Sequence, residues 1–121
     1  MYLDGPEHLT IEVQSAMHHN FMHVHMFSDD PVAASDWYES HFGLTRRNPA
    51  LRTERVFRGI QTGPSASLVL DNVSILWYPT AHARVMYGEQ WKGRTQYASP
   101  RGRVFDHVAF SVDNLDQTLE V

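Results

Sequence analysis

Apolar and polar positions alternate along residues 21–28, where Phe21, His23, His25 and Phe27 fall on one side of an extended chain and Met22, Val24, Met26 and Ser28 on the other. One face of this predicted strand carries imidazoles and the other is set to pack. Asp29-Asp30-Pro31 follows, an N-cap and then a proline at the first helical turn, where its missing N–H costs nothing. Ala34, Trp37, Tyr38, His41 and Phe42 then recur at helical spacing, and Gly43 is placed to end the run with a positive φ. The pattern predicts a helix over 31–42, with Trp37, Tyr38 and Phe42 in its core face.

Beyond a turn at Asn48-Pro49, strands are predicted over 54–60 and 66–70, separated by the Gly63-Pro64 loop. Arg55 and Arg58 read as edge charges that discourage aggregation. Asp71-Asn72 makes a tight connection to a third strand over 73–78, stopped by Pro79. Trp77 and Tyr78 must point to opposite faces, so one of them faces a cleft, and the pattern does not say which. Residues 1–20, broken by Gly5-Pro6 and weakly amphipathic over 7–17, read as an N-terminal arm that includes the histidine pair His18-His19.

Residues 80–103 break the pattern. They form a long polar segment with Arg84, Lys92, Arg94, Arg101 and Arg103 against Glu89, interleaved with Tyr87, Trp91 and Tyr97. Loops of this length are commonly lids or linkers, and the basic aromatic composition suits either a clamp on an anionic or aromatic substrate or a solvated linker between two units. A strand is then predicted over 104–112, a second cap at Asp113-Asn114 and a helix start over 117–121. This late strand repeats the early one: His107-Val108-Ala109-Phe110-Ser111-Val112-Asp113 matches His23-Val24-His25-Met26-Phe27-Ser28-Asp29 in its opening histidine, its alternation and its closing aspartate.

Composition narrows the chemistry. The chain has 121 residues, 42% hydrophobic and 20% charged, enough for one domain with a core of its own. A formal charge of −4 argues against nucleic acid as the partner, since phosphate binding depends on clustered Lys and Arg. Cysteine is absent, which leaves His, Asp and Glu as the strong metal ligands. With no apolar run long enough to span a bilayer and no basic-then-apolar N-terminal order, a soluble, cytoplasmic protein without membrane partners is expected. No GxSxG, P-loop, HExxH or dinucleotide fingerprint occurs.

The runs HVHMFSDDPVAASDWYESHFGL, NVSILWYP and GRVFDHVAFSVDNLDQTLE resemble the vicinal oxygen chelate superfamily, which includes glyoxalases, bleomycin and fosfomycin resistance proteins and extradiol dioxygenases. The resemblance covers residues 21–121 and implies an α+β fold. It implies a βαβββ module over 21–79, the segment 80–103 as linker or lid, and over 104–121 the first strand and helix start of a second, truncated module. A lone module leaves a curved sheet with an uncovered face, so a homodimer is expected, with the late strand exchanged between subunits as one form of it.

Carried over residue by residue, the resemblance implies His23 and His107 as ligands of a divalent metal ion (Zn, Fe, Mn or Ni). The metal would act on vicinal oxygens of a small-molecule substrate. His25, two residues from His23 on the same strand face, is a further candidate metal ligand; the residues alone equally admit strand histidines bonded to neighbours or water. Glyoxalase-like members usually place a carboxylate on the last strand of the first module, whereas Ser74, Ile75, Leu76, Trp77 and Tyr78 occupy that strand here; dioxygenase-like members place two His and one Glu on the metal, the Glu late in the second module. Catalytic sites normally take three protein ligands, so the missing module, a second subunit or His25 is expected to complete the set. The functional expectation is a glyoxalase- or dioxygenase-like metal-dependent lyase, isomerase or dioxygenase. Its alternatives are a non-catalytic small-molecule binding protein of the bleomycin-resistance kind and an inactive truncated fragment.

Overall fold

The strand that carries the histidines, β3 (His23–Ser28), pairs in parallel with β8 (Val73–Pro79), placing Met26 opposite Trp77 and Phe27 opposite Tyr78. Parallel neighbours need a long crossover. Here it comprises helix α1 (Pro31–Phe42), the short strand β4 (Thr45–Arg46), the small hairpin β5 (Val56–Phe57) and β6 (Ile60–Gln61), and strand β7 (Ala66–Leu70). The resulting mixed sheet runs β3-β8-β7-β4, with β7 antiparallel to both its neighbours. Two strands precede it, β1 (Tyr2–Asp4) and β2 (Thr10–Glu12), and pair only with each other in the sheet topology. Helices α2 (Thr80–Met86) and α3 (Leu115–Leu119) follow it. The structure, a computed structural model, describes residues 2–15, 20–57, 59–88, 97, 99–103 and 105–120.

Helix α1 forms where the caps require it. Asp30 accepts a hydrogen bond from the Ala33 N–H at 2.9 Å, Pro31 opens the first turn, and Gly43 ends the helix in the left-handed region at φ 64°. Arg46 of β4 fastens the helix to the sheet, its guanidinium reaching Glu39 Oε2 at 2.9 Å and Asp36 Oδ1 at 2.6 Å. Between helix and sheet lies the core of Leu44, Leu68, Ile75 and Trp77, with Met26, Tyr38, Phe42 and Phe110 packed around it. Trp37 is the exception to the predicted helix face: it is 48% exposed and stacks on His41 at 4.1 Å, because it lies one position outside the stripe that Ala34, Tyr38 and Phe42 bury.

Three segments depart from expectation. Residues 54–60 do not form one strand; Gly59, at φ 80°, turns the chain into the β5–β6 hairpin. The segment from residue 80 opens with α2, built from good helix formers Ala81, Ala83, Arg84 and Met86 and anchored by the buried pair His82 and Ala83. Residues 105–112 form no strand and pair with none of the described strands; Phe110 instead packs on the core and stacks on Phe42 at 4.7 Å. The second cap does form, with Asn114 accepting from the Gln117 N–H at 3.0 Å to start α3. The readings placed on His18, His19, Arg58, Glu89, Trp91, Lys92, Arg94 and Val104 lie outside the described residues. The molecule is thus an α+β fold on a four-stranded mixed sheet, and no described helix is long and apolar enough to cross a membrane.

Leu68 is fully buried at the centre of the sheet. Leu68→Ala is expected to cost about 2–5 kcal/mol of unfolding free energy, against about 1 kcal/mol for removing the cap with Asp30→Ala. Urea denaturation of the two variants checks the order.

Candidate metal centre

Alternation along β3 sends Val24 and Met26 towards the helix and His23, His25 and Phe27 to the opposite face. The two imidazoles stack there, ring centres 4.8 Å apart and planes 16° from parallel. A third group meets them from a part of the chain with no place in the sheet. Glu12, the last residue of β2, sets its Oε2 3.0 Å from His23 Nε2 and 3.6 Å from His25 Nε2. Gln14 donates from Nε2 to the other carboxylate oxygen at 2.8 Å, which leaves Oε2 to face the imidazoles.

All three side chains are partly buried, with 15–22% of each exposed, so they are held in place and still open to a ligand. One ligand atom from each lies within 4.8 Å of the others. Two atoms bonded to one tetrahedral ion at about 2.1 Å are about 3.4 Å apart, so the group has to contract by up to about 1.4 Å to close on an ion. Two imidazoles and a carboxylate form a recurrent donor set for catalytic zinc and for non-haem iron, both of which leave positions free for substrate.

The electrostatics suit that use. Burial pushes the Glu12 carboxyl up, but hydrogen bonds from His23 and Gln14 and the adjacent imidazoles outweigh it, and the group sits below its ordinary value, hence anionic at neutral pH. Burial, then the neighbouring His23, lowers His25 against the opposing pull of Glu12, which favours the neutral, metal-binding imidazole.

An aromatic wall continues from the histidines. Tyr78 meets His25 edge-on at 5.2 Å and stacks on His82 at 4.5 Å, while Phe27 lies against Tyr97 at 5.7 Å and Tyr87 at 6.2 Å. Tyr78 is therefore the member of the Trp77-Tyr78 pair that faces the cleft; Trp77, 1% exposed, belongs to the core. Burial raises Tyr78, Tyr87 and Tyr97, so all three phenols stay neutral. Phe27, Tyr87 and Tyr97, together with Leu9, Ile11 and Val13 of the N-terminal segment, line an open cavity of about 810 Å³, with Glu12, His23 and His25 in its wall.

Of the residues expected as metal ligands, the structure brings His23 and His25 together and places His107 elsewhere. The His107 side chain is 76% exposed, bonded through Nδ1 to Asp106 at 2.9 Å, beside a smaller cavity lined also by Val24, Leu70 and Phe110. The Gly102 N–H and His107 hold the Asp106 carboxyl below its usual range. Glu12 was missed because residues 7–17 read as a weakly amphipathic arm. Its signal is the alternation of Thr10-Ile11-Glu12-Val13-Gln14, a strand pattern that puts Glu12 and Gln14 on one face.

Comparison of the chain with protein-family models, with curated proteins and with solved structures gives no match.

His82 supplies a pH test. It is 5% exposed, and its Nδ1–H donates to the Gln61 carbonyl at 2.6 Å, fixing the tautomer. Burial holds it below the ordinary imidazole value despite that bond. Protonation therefore favours the unfolded chain: the contribution of His82 to stability is complete above about pH 6.5 and declines as the pH falls below it. Melting temperatures between about pH 7.5 and about pH 5.5 should fall less steeply in His82→Gln than in the wild type; equal slopes would remove His82 from the acid response.

Proposed function

We propose that this chain is a glyoxalase- or dioxygenase-like protein of the vicinal oxygen chelate kind, which holds a divalent metal ion on Glu12, His23 and His25 and acts on a small molecule in the adjoining cavity. The observation that carries the reading is the convergence of a carboxylate and two imidazoles at one point of the cavity wall. The order strand, helix and three strands in β3, α1, β4, β7 and β8 supports it, as this is the order of a βαβββ module.

Here the acid comes from the N-terminal segment rather than from the last strand of the module, and His107 is left out of the ligand set. A bound ion would supply Lewis-acid polarisation of substrate oxygens. Around it, the chain's own groups have separable tasks: Gln14 orients the Glu12 carboxylate, Tyr78 packs against the His25 ring, and Phe27, Tyr87 and Tyr97 offer flat apolar surface to a ligand.

A second reading, non-catalytic capture of an aromatic molecule, is favoured by that same aromatic wall. It differs in needing no ion.

Metal content of protein prepared without an affinity tag separates the two. The metal reading expects one divalent ion per chain, bound at least about ten- to a hundredfold more weakly in Glu12→Gln and in His25→Ala, with no loss in His107→Ala. Retention of the ion in Glu12→Gln together with its loss in His107→Ala would move the site to the late histidine. Tight binding of aromatic ligands by protein that takes up no metal would favour capture.

A further inference from the structure

The carboxylate of the proposed metal site is carried by an element that the main sheet does not hold. Strands β1 and β2 hydrogen-bond to each other in the register Tyr2 to Glu12, Leu3 to Ile11 and Asp4 to Thr10, and form a sheet of their own. Each has only three residues, and a two-stranded ribbon of that size is marginal without something to dock against. Among the described residues, its side-chain ion pairs to β3 are those of Glu12 with His23 and His25. The flanking Ile11 and Val13 remain 40% and 48% exposed although they line the cavity, so apolar packing holds this hairpin only loosely.

We propose that the N-terminal hairpin is a metal-operated closure. A divalent ion shared between Glu12 and the two histidines of β3 fastens the hairpin to the sheet, and because Leu9, Ile11 and Val13 of the same segment form one wall of the cavity, loading the metal and enclosing the ligand are one event. The inference rests on the metal reading above and adds the coupling.

Its physical basis is an exchange of contacts. In the structure one hydrogen bond of 3.0 Å and one ion pair of 3.6 Å link Glu12 to the imidazoles. An ion held between them would replace these two contacts with bonds to all three groups. Metal binding then stabilises the docked hairpin by its own affinity. Substrate that bridges the ion and the wall of Leu9, Ile11 and Val13 is held from both sides only when the ion is present.

Hydrogen exchange of the full, tag-free chain with and without stoichiometric Zn²⁺, with zinc binding measured by calorimetry on the same samples, tests the coupling. Zinc is expected to slow exchange of the amides in 9–14 by about tenfold or more while leaving those of β7 and β8 unchanged. In Glu12→Gln the histidines are expected to retain weaker zinc binding while the hairpin amides stay fast at saturating zinc. Zinc bound by the wild type with no change in hairpin exchange overturns the closure and leaves the metal reading intact, as does equal protection in Glu12→Gln. Absence of zinc binding by calorimetry overturns the metal reading and the closure with it.

Discussion

The parallel pairing of β3 with β8 is the constraint on which the rest depends. It puts Met26 beside Trp77 on the buried side, under α1, and Phe27 beside Tyr78 on the open side. Side chains on a strand alternate with a period of two, so a slip of one residue would drive both imidazoles into the core and turn Val24 and Met26 out. The apolar contact between α1 and the sheet therefore does more than stabilise the fold. It fixes which face of β3 is available for chemistry, and burial of Trp77 in turn sets Tyr78 against the His25 ring.

On that open face the distribution of tasks follows from chain geometry. The two histidines, two residues apart on one strand face, stack with planes 16° from parallel, but two ligands do not enclose an ion alone. The third group has to come from another direction, and the N-terminal hairpin provides it. Gln14 occupies one oxygen of Glu12 and the histidines face the other, so the carboxylate is oriented before any ligand arrives. The three side chains thus come from two separate sheets, Glu12 from the β1–β2 ribbon and the histidines from the four-stranded sheet.

The helix 31–42, its caps and the strands 66–70 and 73–78 were legible because each is specified locally, by Asp30 and Gly43 at the helix ends and by alternation between turn residues in the strands. So were His23 and His25, whose shared face follows from spacing alone. Glu12 was not, because its approach to β3 is a tertiary contact between segments with no strand pairing between them, and nothing in residues 7–17 points to a partner. The late strand was misjudged for the complementary reason: residues 107–113 repeat the local pattern of β3, but a strand exists only where a neighbour accepts its hydrogen bonds, and residues 105–112 pair with no strand among the described residues. Matching pattern carried the expected ligand to His107, while packing brings Glu12 to the histidines of β3.

The identity of the atoms around a bound ion tests this account most directly. X-ray absorption of the zinc-loaded, tag-free protein should show two imidazole nitrogens and a carboxylate oxygen about the metal, with one imidazole fewer in His25→Ala and a shell unaltered in His107→Ala. A zinc shell with a single imidazole in the wild type, or one that His25→Ala leaves unchanged, would contradict the convergence of Glu12, His23 and His25 on one ion.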